Sequence, residues 1–141
     1  MGILFYSSDV AVSQTVGEIQ ALLTRRGVTR ISTLFNGDGE AVGLGFTLTT
    51  DYGTRHYEMP VRVDGIAAAL LADASLPKKH RTRQQALRTA WRIVKSLLEA
   101  QMALLEAEMA TIDELMLPFM IDSSGRTMYE VGRKHWLELE S

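Results

Sequence analysis

Residues 42–49 read Val-Gly-Leu-Gly-Phe-Thr-Leu-Thr. Val42, Leu44, Phe46 and Leu48 alternate with Gly43, Gly45, Thr47 and Thr49. A period of two held this long marks a strand with one buried face. On its amino side stands Asn36-Gly-Asp-Gly39, a strong turn sequence. Before that turn Ile31, Thr33 and Phe35 point one way, as a preceding strand would place them. On the carboxyl side Thr50-Asp-Tyr-Gly53 is a second turn. Arg55, Tyr57, Met59 and Val61 then alternate with His56, Glu58 and Pro60. Pro60 cannot donate a ladder bond, so this third strand lies at an edge or ends there. Turns this short imply a three-stranded antiparallel meander.

Helical signals flank the meander. Thr15-Val-Gly-Glu18 reads as a capping box, with Val16, Ile19, Leu22 and Leu23 on one apolar face, Arg25 and Arg26 in the last turn and Gly27 after it. Residues 3–6 read as a short strand or an ordered lead-in. Asp64 can cap a short helix over residues 65–74, which Ser75-Leu-Pro77 breaks. A long helix is predicted over about residues 82–109 with two adjoining apolar seams. One runs Ala86, Ala90, Ile93, Leu97, Ala100, Leu104. The other runs Leu87, Trp91, Val94, Leu98, Met102, Leu105. Thr111-Ile-Asp-Glu114 is a second capping box, and Pro118 disrupts the helix it opens. Asp122-Ser-Ser-Gly125 is a turn, and residues 126–141 carry mixed signals. A small sheet burying one face against helices defines an α+β domain. The chain divides into residues 1–77, 78–121 and 122–141 of one domain, which suits its 141 residues.

Composition sets limits. The apolar share of 46% and charged share of 23% are those of a folded globular chain. With no cysteine, disulfides, thiolate metal sites and a Cys nucleophile are excluded. No secretory signal or membrane-spanning run is read, so a cytoplasmic location is expected. His56, His80 and His135 lie far apart and lack helical partners. Glu99 and Glu106 are two helical turns apart, about 10 Å, too far for one metal ion. The Gly-x-Ser-x-Gly and Walker patterns are missing, and the glycine pairs open no parallel strand–helix unit. The expectation is a protein that is not an enzyme and takes no cofactor or metal.

The net charge of −2 is unevenly spread. Residues 78–95 hold seven basic side chains and no acidic one, while residues 96–141 hold nine acidic against three basic. Lys78, Lys79, Arg81 and Arg83 stand at the start of the long helix. Arg88, Arg92 and Lys95 continue along its polar face. A helix amino end already carries about half a positive charge, so cations there oppose the helix's own field. That points to nucleic-acid phosphate as an outside partner. Pairing with acidic groups of a protein, and plain solvation, remain the other two readings. The glycine strip of the middle strand is either an ordinary solvent face or a place of close approach. Trp91 reads as core. The broad helix stripe, with Met102, Met109, Met116 and Met120, suggests a homo-oligomer rather than a complete monomeric layer.

The stretch AWRIVKSLLEAQMALLEAEMATIDELMLPFM, residues 90–120, followed by GRTMYE at 125–130, resembles small uncharacterised proteins of bacteriophages and prophages. The resemblance implies a prokaryotic cytosol and a role in phage DNA metabolism or host takeover. It carries no functional residue with it. The order of three antiparallel strands and a long helix is also similar in layout to single-strand annealing proteins. The functional expectation is therefore a non-catalytic binder of single-stranded or duplex nucleic acid through Lys78, Lys79, Arg81, Arg83, Arg88, Arg92 and Lys95. The alternative is a protein-interaction module, either an inhibitor of a host protein or an oligomeric structural subunit.

Overall fold

The computed structural model describes residues 2–139. In chain order it has helix α1 (Val12–Thr24), strands β1 (Thr29–Phe35), β2 (Ala41–Thr50) and β3 (Gly53–Pro60), and helices α2 (Asp64–Ala72) and α3 (Arg83–Glu106). Helices α4 (Ile112–Met116) and α5 (Met128–Leu139) complete it. The α+β class and the antiparallel order β1-β2-β3 are as the alternation dictates. The β1–β2 turn closes because the Asn36 side chain accepts from the backbone amides of Asp38 and Glu40, and Gly39 takes φ 77°. Pro60 is the last residue of an edge strand.

The core forms between one sheet face and the helices. Leu44, Phe46 and Leu48 on β2 join Tyr57 and Met59 on β3, Ile19 and Leu23 on α1, and Trp91, Leu98 and Met102 on α3. Phe46 and Tyr57, paired across the ladder, stack with ring centres 5.3 Å apart. Trp91 is fully buried and donates its indole N–H to the Ala41 carbonyl at 2.9 Å. The apolar body of Trp91 thus drives burial while its one polar atom stays satisfied.

Several local expectations give way to packing. The Thr15–Glu18 capping box does not form. Helix α1 starts at Val12, Thr15 lies fully buried inside it, and Glu18 turns instead to α3. Asp64 is the first residue of α2 rather than its cap, and its carboxylate meets Arg83. Residues 3–6 take the ordered lead-in rather than the strand, with a turn over residues 4–7. Phe35 breaks the parity of Ile31 and Thr33 and is exposed, because the ladder shifts register between Leu34 and Phe35. The glycine strip is not bare. A methyl at Gly45 would stand 2.8 Å from Ser32 Oγ, and one at Gly43 3.1 Å from Leu34 Cδ1. Side chains of β1 lie over the strip, so the glycines serve close approach within the sheet.

Residues 126–139 hold the largest addition, and the last two residues of the stretch with mixed signals, 140 and 141, lie outside the described residues. Thr127-Met-Tyr-Glu130 makes a capping arrangement: Glu130 N–H donates to Thr127 Oγ1 at 3.2 Å, and Thr127 N–H donates to Glu130 Oε1 at 3.1 Å. Helix α5 follows. The chain reaches it along the outer edge of β3, where Ile121 N–H donates to the His56 carbonyl at 2.9 Å. That segment covers an edge that β3 otherwise leaves open.

Candidate interaction surfaces

Helix α3 begins with a real cap, Gln85 N–H donating to Thr82 Oγ1 at 3.1 Å. From there its cations part company. Arg83 makes a two-pronged contact with Glu40 at 2.8 and 2.9 Å and reaches Asp64 at 2.8 Å. It ties the β1–β2 turn, α2 and α3 together. The Arg83 guanidinium, helped by Asn36, holds the Glu40 carboxyl down at about 2. Arg88 donates to the Ser8 carbonyl at 3.2 Å and to the Gln85 side-chain oxygen at 2.8 Å. Arg92 donates to Glu18 at 3.0 and 3.1 Å and to Thr15 Oγ1 at 3.3 Å. The hydrogen bond from Arg92 holds the Glu18 carboxyl below its ordinary value, with partial burial opposing and Lys95 assisting. Lys95 stands 3.5 Å from Glu18 and 3.7 Å from Glu99.

The seven candidate side chains are therefore not one free ridge. Arg83, Arg92 and Lys95 meet carboxylates of the same chain, and Arg88 holds residues 2–10 in place. Those residues lie across α3 on backbone contacts: Thr89 Oγ1 donates to the Phe5 carbonyl and the Gln85 amide to the Ser8 carbonyl, both at 2.9 Å. Lys78 and Lys79 are exposed in a single helical turn before α3 and pair with no carboxylate among the described residues. Arg81 follows them, half-buried, and its charge acts on the Asp73 carboxylate without a direct ion pair. Lys79, His80 and Arg88 share the wall of a hollow of about 400 Å³ with Asp9, Ser7 and Gln85.

The histidines stay apart. His56 Nδ1 is 2.9 Å from Thr47 Oγ1, His80 meets the Tyr6 ring edge-on, and His135 sits on exposed α5. Glu106 pairs with Arg26 and Glu99 with Lys95. Among the described residues, no set of three or more His, Asp or Glu side chains is placed to hold a metal ion, and no helix is long and apolar enough to cross a membrane.

A different surface lies at the carboxyl end. No residue of α5 is buried. Trp136, Leu137 and Leu139 are exposed at 58%, 59% and 68%. Tyr129 and Trp136 are two turns apart on one strip, and the Trp136 ring folds back over Gly132. At the foot of α5 opens a cleft of about 540 Å³, walled by Leu34, Gly43, Met59, Pro60, Phe119 and Tyr129, with Glu58, Arg62 and Glu130 supplying charge. The Met expectation splits: Met102 and Met116 are core, while Met109 is exposed. Nothing in the composition marks α5. Its signal in the sequence was the Thr127-x-x-Glu130 cap followed by Met128, Gly132, His135, Trp136 and Leu139 at helical spacing. No protein-family model, no curated protein and no solved structure matches this chain.

Proposed function

We propose that this domain is a non-catalytic protein-interaction module that meets its partner through α5. The observation that carries this reading is the exposure of Trp136 and Leu139 on a helix with no buried residue. An isolated helix of this length is marginal in water, so an exposed apolar end of this kind gains stability from a covering surface. Exposed aromatic anchors of this type dominate protein interfaces. A bacterial cytosol as the module's setting is part of this proposal and is supported by the resemblance to phage and prophage proteins alone. Incorporating a photoreactive side chain at Leu139 in cells that express the protein tests the reading. A discrete protein adduct at position 139, with none at Asp51 on the far β2–β3 turn, is expected. No protein adduct at position 139 overturns it.

Lys78, Lys79 and Arg81 support a second reading, contact with nucleic-acid phosphate. Lys79, His80 and Arg88 around one hollow give it a place, although Asp9 in the same wall opposes it. Anisotropy of a labelled 30-mer at low salt checks this. Binding that weakens steeply with salt is expected, with a log–log slope near −0.9 per phosphate on duplex. No binding to DNA or RNA at low salt removes the second reading.

A further inference from the structure

Asn36 is the chain's one asparagine, and Gly37 follows it. We propose that this pair is a self-modifying site. The Gly37 backbone nitrogen attacks the Asn36 carboxamide, ammonia leaves, and the carboxylate that results loosens the clamp between the β1–β2 turn and α3.

Three features of the turn carry this. First, backbone conformation does not require a glycine at 37. Gly39 takes φ 77°, which favours glycine. Gly37 has no positive φ, and a methyl there would meet no atom beyond its chain neighbours within 4 Å. What the missing side chain does at 37 is leave the nitrogen unhindered. Residue 37 is exposed, and its N–H makes no hydrogen bond among the described residues. Second, the Asn36 carbonyl is polarised. Its Oδ1 accepts from the Asp38 N–H at 3.0 Å and from the Glu40 N–H at 2.9 Å. Two backbone donors at that range stabilise negative charge building on a carbonyl oxygen under attack. Third, Asn36 Nδ2 donates to Glu40 Oε1 at 2.9 Å. With both ends of the carboxamide bonded, its rotation is confined and the reacting nitrogen is one peptide bond away. That lowers the entropic cost of closing the ring.

Attack forms a bond between Gly37 N and Asn36 Cγ. The Cγ–Nδ2 bond breaks, and the proton lost from the Gly37 N–H departs, through solvent, on the ammonia. Solvent water then opens the cyclic imide at either carbonyl and leaves an aspartyl or an isoaspartyl link. No oxidation state changes.

The aspartyl product removes the donor to Glu40 and sets like charge across the 2.9 Å that the hydrogen bond spans. Two carboxylates so close do not both ionise freely. Arg83 first and Asn36 second hold Glu40 at about 2, so its titration moves upward. The isoaspartyl product adds a backbone atom inside a turn that the Asn36 N–H and the Glu40 carbonyl close at 3.0 Å. In either form the turn holds Arg83 less firmly, and Arg83 is also the contact to Asp64 at the start of α2.

Intact mass and peptide mapping of the full chain, kept folded in mildly alkaline buffer, test the proposal. A gain of about one dalton is expected, confined to the peptide that holds residue 36 and split between aspartyl and isoaspartyl forms. The folded chain should gain it at least as fast as the chain in urea, because only the folded turn supplies both donors. Gly37→Ala should slow the gain at least about tenfold, since a methyl crowds the nitrogen. The space around position 37 should leave that variant's circular dichroism and melting temperature at the parent's values. Asn36→Asp reads the consequence directly: its Glu40 carboxyl, followed by NMR, should titrate above the parent's. A folded chain that keeps its mass, one that converts more slowly than the chain in urea, or a Gly37→Ala variant that converts as fast as the parent overturns the attack. Unchanged Glu40 titration in Asn36→Asp overturns the loosening.

Discussion

The amino half of α3 and the outer half of α5 behave oppositely. The first is rich in charge and turns inward: Gln85 and Thr89 are buried, and Arg83, Arg88, Arg92 and Lys95 bond to the chain's own oxygens. The second is rich in apolar side chains and turns outward. Density of charge along a sequence is thus a poor measure of charge free to bind. Carboxylates distant in sequence, Glu18 and Glu40 here, consume it in three dimensions. An apolar stripe, by contrast, stays available wherever the fold supplies no layer to cover it.

The sharpest way to break the contrast is to truncate the two tryptophans. Trp91→Ala should cost about 3–5 kcal/mol, through the cavity it leaves and the orphaned Ala41 carbonyl. Trp136→Ala should change the stability of the monomer by under about 0.5 kcal/mol. Urea unfolding of both at low concentration makes the measurement. Equal losses would mean that α5 belongs to the core.

Thr89→Val asks whether the polar face of α3 holds residues 2–10. The substitution leaves the Phe5 carbonyl without its donor and should cost about 1–2 kcal/mol. Faster amide exchange at Tyr6 and Ser8 should accompany it. Unchanged exchange would show that Ile3 and the neighbouring packing suffice.

The Arg83–Glu40 contact sets a pH dependence. The folded Glu40 carboxyl titrates at about 2, below its ordinary 4.5. A depressed carboxylate contributes stability that is fully present above about 4.5 and lost as pH falls through 2. The parent should therefore lose urea resistance between those values. Arg83→Gln should lie lower at pH 7 and lose less on acidification. The difference is small, because the Arg83 side chain is 44% exposed and solvent screens it. Identical pH profiles would show that Asn36 alone holds Glu40.

Lys78→Glu with Lys79→Glu should move stability least, by under about 0.5 kcal/mol. In the nucleic-acid reading the same change abolishes low-salt oligonucleotide binding. Binding that survives it would shift attention to Arg81 and Arg88.

The meander was legible because a two-residue period is a local property. Val42 to Leu48, the Asn36–Gly39 turn and Pro60 each specify backbone geometry within a few residues. So does Thr111–Glu114, which caps α4 as its spacing requires. The Thr15–Glu18 box failed although its spacing was equally good. Burying Thr15 and pairing Glu18 with Arg92 stabilises more than an exposed cap does, and no local pattern reports a partner 74 residues away. The candidate cations suffered the same blindness. Their number and helical placement were readable, but their partners were not.

By itself, then, the sequence determined which segments alternate, where the strands turn and which faces of β2 and β3 are apolar. Those are consequences of backbone stereochemistry and side-chain period. Only the tertiary structure decided which charges are consumed, which glycines are covered and which apolar face is left over. Those depend on neighbours brought together by folding, where an ion pair or a buried contact is won by proximity in space rather than along the chain.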